Sequence, residues 1–247
     1  MEDMLIVLAV FIISIVFSML GLGGAIFYVP FFYWTGMELV GAITTALLLN
    51  IVTSGSATVI YLRRKLVDLK IAVPFIAASA IGAQIGAYFT ELVPVNVLLF
   101  LFAILMIIVG LEMIFSRAEK FYRKRKIEGS KKLILVTAGG MIVGILSGML
   151  GIGGGSFIVP MLLLLGYGIK RAAATSGFIV IFTSLSGFIA HADTWEPDIS
   201  LVIYIVIASF AGAQLGSHLM SGKMKSDTLK RMFGVVLLLM AIRIISG

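Results

Sequence analysis

The sequence predicts an all-α fold: a polytopic helical membrane protein of two inverted repeats, each a re-entrant or broken helix hairpin plus three transmembrane helices. Three observations carry that expectation. The 247 residues are 60% hydrophobic and only 13% charged, where soluble domains run nearer ~25% charged. A glycine-rich block near the N-terminus returns 130 residues later. The basic loops fall on one side of a membrane only if the second copy is inserted upside down.

The charges sit in short clusters between apolar runs of about 20 residues, the length needed to cross ~30 Å of hydrocarbon. A transmembrane β-barrel would alternate with a period of two, and the stretch 95–114 shows no such alternation. The chain has no cysteine, which excludes disulfides and a thiolate metal site. Its start, Met1-Glu2-Asp3-Met4, is acidic where a signal peptide is basic, so the first apolar run is expected to be retained. The net charge of +7 is explained by orientation in the bilayer, and no nucleic-acid partner is expected.

The repeat is explicit. Met19-Leu20-Gly21-Leu22-Gly23-Gly24-Ala25-Ile26-Phe27-Tyr28-Val29-Pro30 matches Met149-Leu150-Gly151-Ile152-Gly153-Gly154-Gly155-Ser156-Phe157-Ile158-Val159-Pro160. The same offset carries Gly82-Ala83-Gln84-Ile85-Gly86 onto Gly212-Ala213-Gln214-Leu215-Gly216, Thr45 onto Thr175, and Thr53-Ser54 onto Thr183-Ser184. Separate motifs in register at one offset indicate duplication of a single unit. The first repeat is read as 1–115, a basic cytoplasmic linker as 116–132, and the second, inverted repeat as 133–247.

Membrane segments are expected at 4–20, 25–34, 39–62, 71–90, 95–115, 133–150, 156–165, 172–190, 199–220 and 232–245. The segments beginning at Ala25 and Ser156 are too short to span. Each follows a Gly-x-Gly-Gly break and contains a proline, Pro30 or Pro160. They are read as half-helices that enter the membrane and return.

Basic residues set the topology. Arg63, Arg64, Lys65 and Lys70 share one loop, and eight more lie between Arg117 and Lys132. Lys170-Arg171 and the group Lys223, Lys225, Lys230 and Arg231 complete 18 of the 19, leaving Arg243. If each glycine-broken hairpin goes in and returns, all four groups face the cytoplasm. Glu2-Asp3, Glu38, Glu91 and Asp193/Glu196/Asp198 then face the other side. Each repeat makes an odd number of full crossings, so the second is inverted. Matched loops agree: 63–70 is basic and 193–200 acidic, while Glu91-Leu92-Val93-Pro94 is acidic to neutral and the loop around 221–225 basic. The site expected for such a chain is the cell (cytoplasmic) membrane.

Chemistry should gather at the glycine breaks. Glycine tolerates positive φ and lets a ligand approach the backbone. A half-helix starting at Ala25 or Ser156 points free N–H groups and partial positive charge at its break. Two such ends near the midplane make an anion site without a buried lysine or arginine. The other reading is close helix packing through small residues, which Gly82, Gly86, Gly140 and Gly144 fit best. Thr44, Thr45, Asn50, Thr53 and Ser54 lie along one helix, and Thr175, Ser176, Thr183, Ser184 and Ser186 along its repeat partner. They either donate to an oxyanion or tie helices together. Gln84 and Gln214, expensive in lipid unless satisfied, line the pathway or join the halves. Glu112, His191 and His218 sit at segment ends, where interface placement competes with proton relay. No catalytic triad, metal-ligand cluster or Walker-type loop occurs, so an enzyme, a cofactor and ATP-driven transport by this chain are not expected.

With both Gly-x-Gly-Gly-[Ala/Gly]-x-Phe-x-Val-Pro copies and both Gly-Ala-Gln-x-Gly copies in view, the chain resembles the sulfite exporter TauE/SafE family, which overlaps the toluene-sulfonate uptake permease group. The resemblance covers essentially the whole chain. It implies movement of small sulfur-containing anions, such as sulfite, sulfonates and sulfoacetate, across the cytoplasmic membrane. Gly21, Gly23, Gly24, Gly151, Gly153, Gly154 and Gly155 match the family's motif. The resemblance supplies the sulfur oxyanion, and it does not carry a direction of transport.

The expectation is a secondary transporter of small anions working by alternating access, with Gly21, Gly23, Gly24, Ala25, Gly151, Gly153, Gly154, Gly155 and Ser156 at the site together with Thr45, Asn50, Thr53, Thr175, Ser176, Thr183, Gln84 and Gln214. Coupling to H+ or Na+ and a homo-oligomer are both compatible with the sequence. The competing readings are an anion-selective channel built from the same half-helices, and a membrane sensor recruiting partners through the basic linker.

Overall fold

A helix stops where its next residue cannot continue it, and glycines set the first stop. Helix α1 (Glu2–Leu20) ends at Gly21, whose φ of +69° is left-handed, and Gly23 (+80°) and Gly24 (+111°) keep the chain unwound until α2 (Ala25–Trp34). Then follow α3 (Leu39–Arg63), α4 (Leu69–Phe89), α5 (Ser130–Leu150), α6 (Gly155–Leu164), α7 (Ile169–His191), α8 (Ile199–Ser221) and α9 (Ser226–Ile245). The computed structural model describes residues 2–89, 130–150, 155–192, 197–222 and 224–245, with Trp195 and scattered residues between 100 and 115. Among the described residues there is no strand. Most of the expected segment 95–115, the linker up to residue 129, Gly151, Gly153, Gly154, Glu112, Asp193, Glu196 and Lys223 lie outside them.

The two short helices, α2 and α6, have 10 residues each, about 15 Å, half the thickness of the hydrocarbon. Helix α5 starts at Ser130, so Lys131 and Lys132 ride its first turn instead of closing the linker. Four helices, over Asp3–Leu20, Val40–Arg63, Ile169–Ile189 and Ile199–Ser221, are long and apolar enough to cross a membrane.

The distribution of side chains fits a hydrocarbon solvent. Leu8, Ile12, Ile203 and Ile207 face outward, while Ser14, Thr44, Thr53, Ser176, Ser184 and Ser209 are fully buried. Water would favour the opposite placement. In lipid the apolar faces cost nothing outside, and hydroxyls gain partners inside.

Helix α1 packs along α8, and α4 along α5; α3 runs against α7, with α2 on α3 and α6 on α7. Small residues allow these approaches. A Cβ on Gly212 would come within 2.9 Å of Ser14 Cβ, and one on Gly82 within 3.0 Å of the Ile145 nitrogen. Gly140 lies equally close to Phe75 and Ala78, and Gly144 to Ser79. Gly82, Gly140 and Gly144 therefore take the packing role the sequence suggested. The partner carbonyls are themselves 130 residues apart, Phe11 for Gly212 and Met141 for Gly82. Gly212→Val is expected to force α1 and α8 apart and destabilise by roughly 1–3 kcal/mol. A thermal-unfolding midpoint unchanged in detergent would contradict this.

Helices α3 and α7 cross antiparallel. Asn50 meets Ser184, Leu47 lies against Gly187, and Thr58 sits by Gly177. This crossing holds the first glycine break against the second half.

Candidate functional site

The break is held from three sides. Ser176 Oγ on α7 donates to the Gly21 carbonyl at 2.7 Å, and Tyr61 Oη on α3 donates to the Ser18 carbonyl. Asn50 Oδ1 accepts the Ala25 N–H at 3.1 Å while its Nδ2 donates to Ser184 Oγ at 2.8 Å. One asparagine thus joins α2, α3 and α7. This corrects part of the sequence reading: the Ala25 N–H is not a free donor, because a helix start buried in protein needs an acceptor. The N–H groups of Gly23 and Gly24 have no acceptor among the described residues.

The start of α6 meets the first break. A Cβ on Gly155, the first residue of α6, would collide with the Leu22 carbonyl and lie 3.1 Å from Val180 Cγ2. Gly155 is buried, and no more is described of Ser156 than its place on α6. Among described residues the buried polar groups are serines, threonines and one asparagine. Among the described residues no fixed charge is buried around the break, which leaves backbone dipoles and neutral side chains there. Such a place suits an anion held by neutral donors.

The other expected site residues fall in separate places. Thr53 belongs to a hydroxyl chain in which Tyr28 Oη lies 2.7 Å from Ser14 Oγ and 3.3 Å from Thr53 Oγ1, itself 2.7 Å from Ser209 Oγ. Thr45 accepts from Trp195 Nε1, and Thr175 accepts from the Asp68 N–H, both at 3.1 Å. Thr183 bonds the Val180 carbonyl at 3.1 Å. Gln214 Nε2 donates to the Ser56 carbonyl at 3.1 Å, tying α8 to α3. Gln84, at the matching position, is exposed on α4. A surface groove between α3 and α8 is lined by Ile51, Val52, Val206, Ile207 and Phe210 and offers an anion little.

Sequence reasoning missed Tyr28, Tyr61, Asp68, Tyr167 and Trp195. Tyr167 Oη donates to Asp68 Oδ2 at 2.7 Å. Burial, and then the Asp68 carboxylate, push the Tyr167 phenol well above its ordinary value. It stays a neutral donor, so its contribution is complete below ~10 and is lost only as pH rises beyond that.

A glycine-broken, duplicated, apolar chain with such a centre finds a direct match. The family model described as "Sulfite exporter TauE/SafE" fits residues 6–244. The chain belongs to the sulfite exporter TauE/SafE family. Among curated proteins it is similar to "Probable membrane transporter protein YunE" of Bacillus subtilis, 31% identical over 99% of this chain and 98% of that one. It is also similar to YdhB of the same organism (26% identical, over 87% of this chain and 89% of that one) and YfcA of Escherichia coli (27%, over 81% and 74%), both likewise named probable membrane transporter proteins. No solved structure matches. This TauE/SafE member is a multi-pass membrane transporter and not an enzyme.

Proposed function

We propose that this transporter moves a small anion of the sulfite or sulfonate type by alternating access between two inverted halves, without a cofactor. The observation that carries the reading is the approach of Gly155, at the start of α6, to Leu22 of the first glycine break beside the antiparallel α3–α7 crossing, where the buried polar groups described are uncharged. Sulfur chemistry comes from the family description. The site is assigned to Gly21, Gly23, Gly24, Gly151, Gly153, Gly154 and Gly155, with the hydroxyl-bearing faces of α3 and α7.

Inverted halves are supported by contacts that exchange under the offset of 130: Gly212 on Phe11 against Gly82 on Met141. Alternating access is supported by two cross-half hydrogen bonds at opposite ends of the α3–α7 pair, Thr175 with Asp68 and Thr45 with Trp195. The basic groups Arg63–Lys70, Arg117–Lys132, Lys170-Arg171 and Lys223–Arg231, of which Lys170-Arg171 and Lys230-Arg231 ride the first turns of α7 and α9, are assigned to the cytoplasmic side of the cell membrane. The coupling ion, H+ or Na+, follows from whichever gradient accelerates flux.

Reconstituted protein should show saturable uptake of labelled sulfite and counterflow against unlabelled sulfite. Single-channel currents would replace the carrier by a channel. Cysteines at the matched exposed positions Lys70 and Ser200 should react with an impermeant thiol reagent from opposite sides. Reaction of both from one side rules out inversion.

A further inference from the structure

Hydroxyls inside a helix ordinarily return their hydrogen to a carbonyl one turn back, and Ser14, Thr44, Thr137 and Ser217 do so here. Ser54 and Thr58 do not. They are 2% and 4% exposed, and neither side-chain oxygen has a hydrogen-bond partner among the described residues. Burying a polar group unpaired is costly. Two of them, one turn apart on α3, call for something that completes them.

Their direction follows from their neighbours. Asn50, Ser54 and Thr58 recur at intervals of four and share one helix face. Asn50 at one end touches α7 and the start of α2 through Ser184 and Ala25. At the other end, the point a Gly177 Cβ would occupy lies 4.0 Å from Thr58 Oγ1 and 3.9 Å from Gly21 Cα. Thr58 therefore lies at the seam between α7 and Gly21, and Ser54 stands between it and Asn50 on the same face. A Cβ on Gly177 would stand in ordinary van der Waals contact with Tyr61, Gly21 and Thr58, the nearest atom at 3.8 Å.

The pair has no counterpart in the second half. At the offset of 130, Ser54 corresponds to Ser184, already bonded to Asn50, and Thr58 corresponds to Phe188. One seam site per chain results, lined by polar groups from α3 and by the apolar Val180 side of α7. Hydroxyls serve anions and cations alike, so the surroundings decide. Asn50, on the same face, holds the positive start of α2; the Gly23 and Gly24 amides have no acceptor among the described residues, and no carboxylate is buried among them.

We propose that Ser54 and Thr58 are the hydroxyl donors that bind the transported oxyanion, one oxygen each, in a single seam site beside Gly21. The proposal rests on the anion-transport reading and adds to it the residues and a stoichiometry of one anion per chain.

The test is the thermal shift of purified Ser54→Ala and Thr58→Val proteins with the potassium salts of sulfite, sulfate, thiosulfate and sulfoacetate, alongside sodium chloride. No protein bond is lost in either variant, so the midpoint without ligand should stay level or rise. The stabilisation by the preferred anion should require roughly tenfold or more higher concentration. A fall in the ligand-free midpoint with the anion response intact overturns the assignment, since the hydroxyls are then structural. Loss of a sodium response with the anion response intact overturns it in favour of a cation site. A wild-type protein that responds to no anion and carries no flux fails the transport reading itself. A responsive wild type with responsive variants fails the hydroxyl assignment alone.

Discussion

Gly21→Ala is expected to reduce sulfite flux to background. The residue has φ +69°, and its Cβ would collide with the backbone carbonyl of Ala173 on α7. A left-handed alanine costs about 1–2 kcal/mol, and crowding against backbone adds roughly 1–3 kcal/mol. The collision acts on the seam where the break, α3 and α7 meet, and it also displaces the Gly21 carbonyl that Ser176 holds. Gly36→Ala separates the two causes. Gly36 has φ +91° with nothing within 4 Å of its missing Cβ. It should lose only the backbone contribution and keep its flux. Equal flux losses in the two variants would mean that positive φ, and not the approach of α7, matters at Gly21.

Much of this architecture is written in local pattern. Most described helix ends fall near the expected ones because glycine breaks and charged loops bound the apolar runs, and the ten-residue helices are visible as segments too short to span; α9 instead begins at Ser226, ahead of the expected 232, because its first turns carry the charges Asp227, Lys230 and Arg231. The packing glycines were legible for the same reason, since small residues at a spacing of four mark close approach. Partners were harder. Gln84 and Gln214 are equivalent in sequence, yet Gln214 binds Ser56 and Gln84 is exposed, a difference set by which helix happens to lie opposite. Asn50 looked like one donor in a polar row, and it turned out to hold the start of α2 because Gly23 has no side chain to keep its amide away. Thr58 continues the Asn50–Ser54 spacing by one more turn and could have been read from it. Tyr167 and Asp68 are 99 residues apart, and nothing local links them.

That last pair belongs to a clasp whose repeat image suggests how the two ends are coordinated. Thr175 takes the Asp68 N–H at one end, backed by Tyr167, and Thr45 takes Trp195 Nε1 at the other, where Phe188 packs edge-on at 5.4 Å. Thr45 and Thr175 are the same residue of the two repeats, and each bond crosses between halves. A carrier that opens one end at a time must break one such bond while keeping the other. Thr175→Val should therefore favour opening at the Asp68 end, and Thr45→Val at the Trp195 end. Losing one neutral hydrogen bond of about 1 kcal/mol shifts the balance roughly fivefold. In this cysteine-free chain, a Ser54→Cys reporter in the seam should react about fivefold faster with an impermeant thiol reagent applied from the Asp68 side when Thr175→Val is added, and more slowly from the other side. Thr45→Val should reverse both changes. If the two variants shift reactivity in the same direction, the clasps are fixed struts, and the halves open by a different set of contacts.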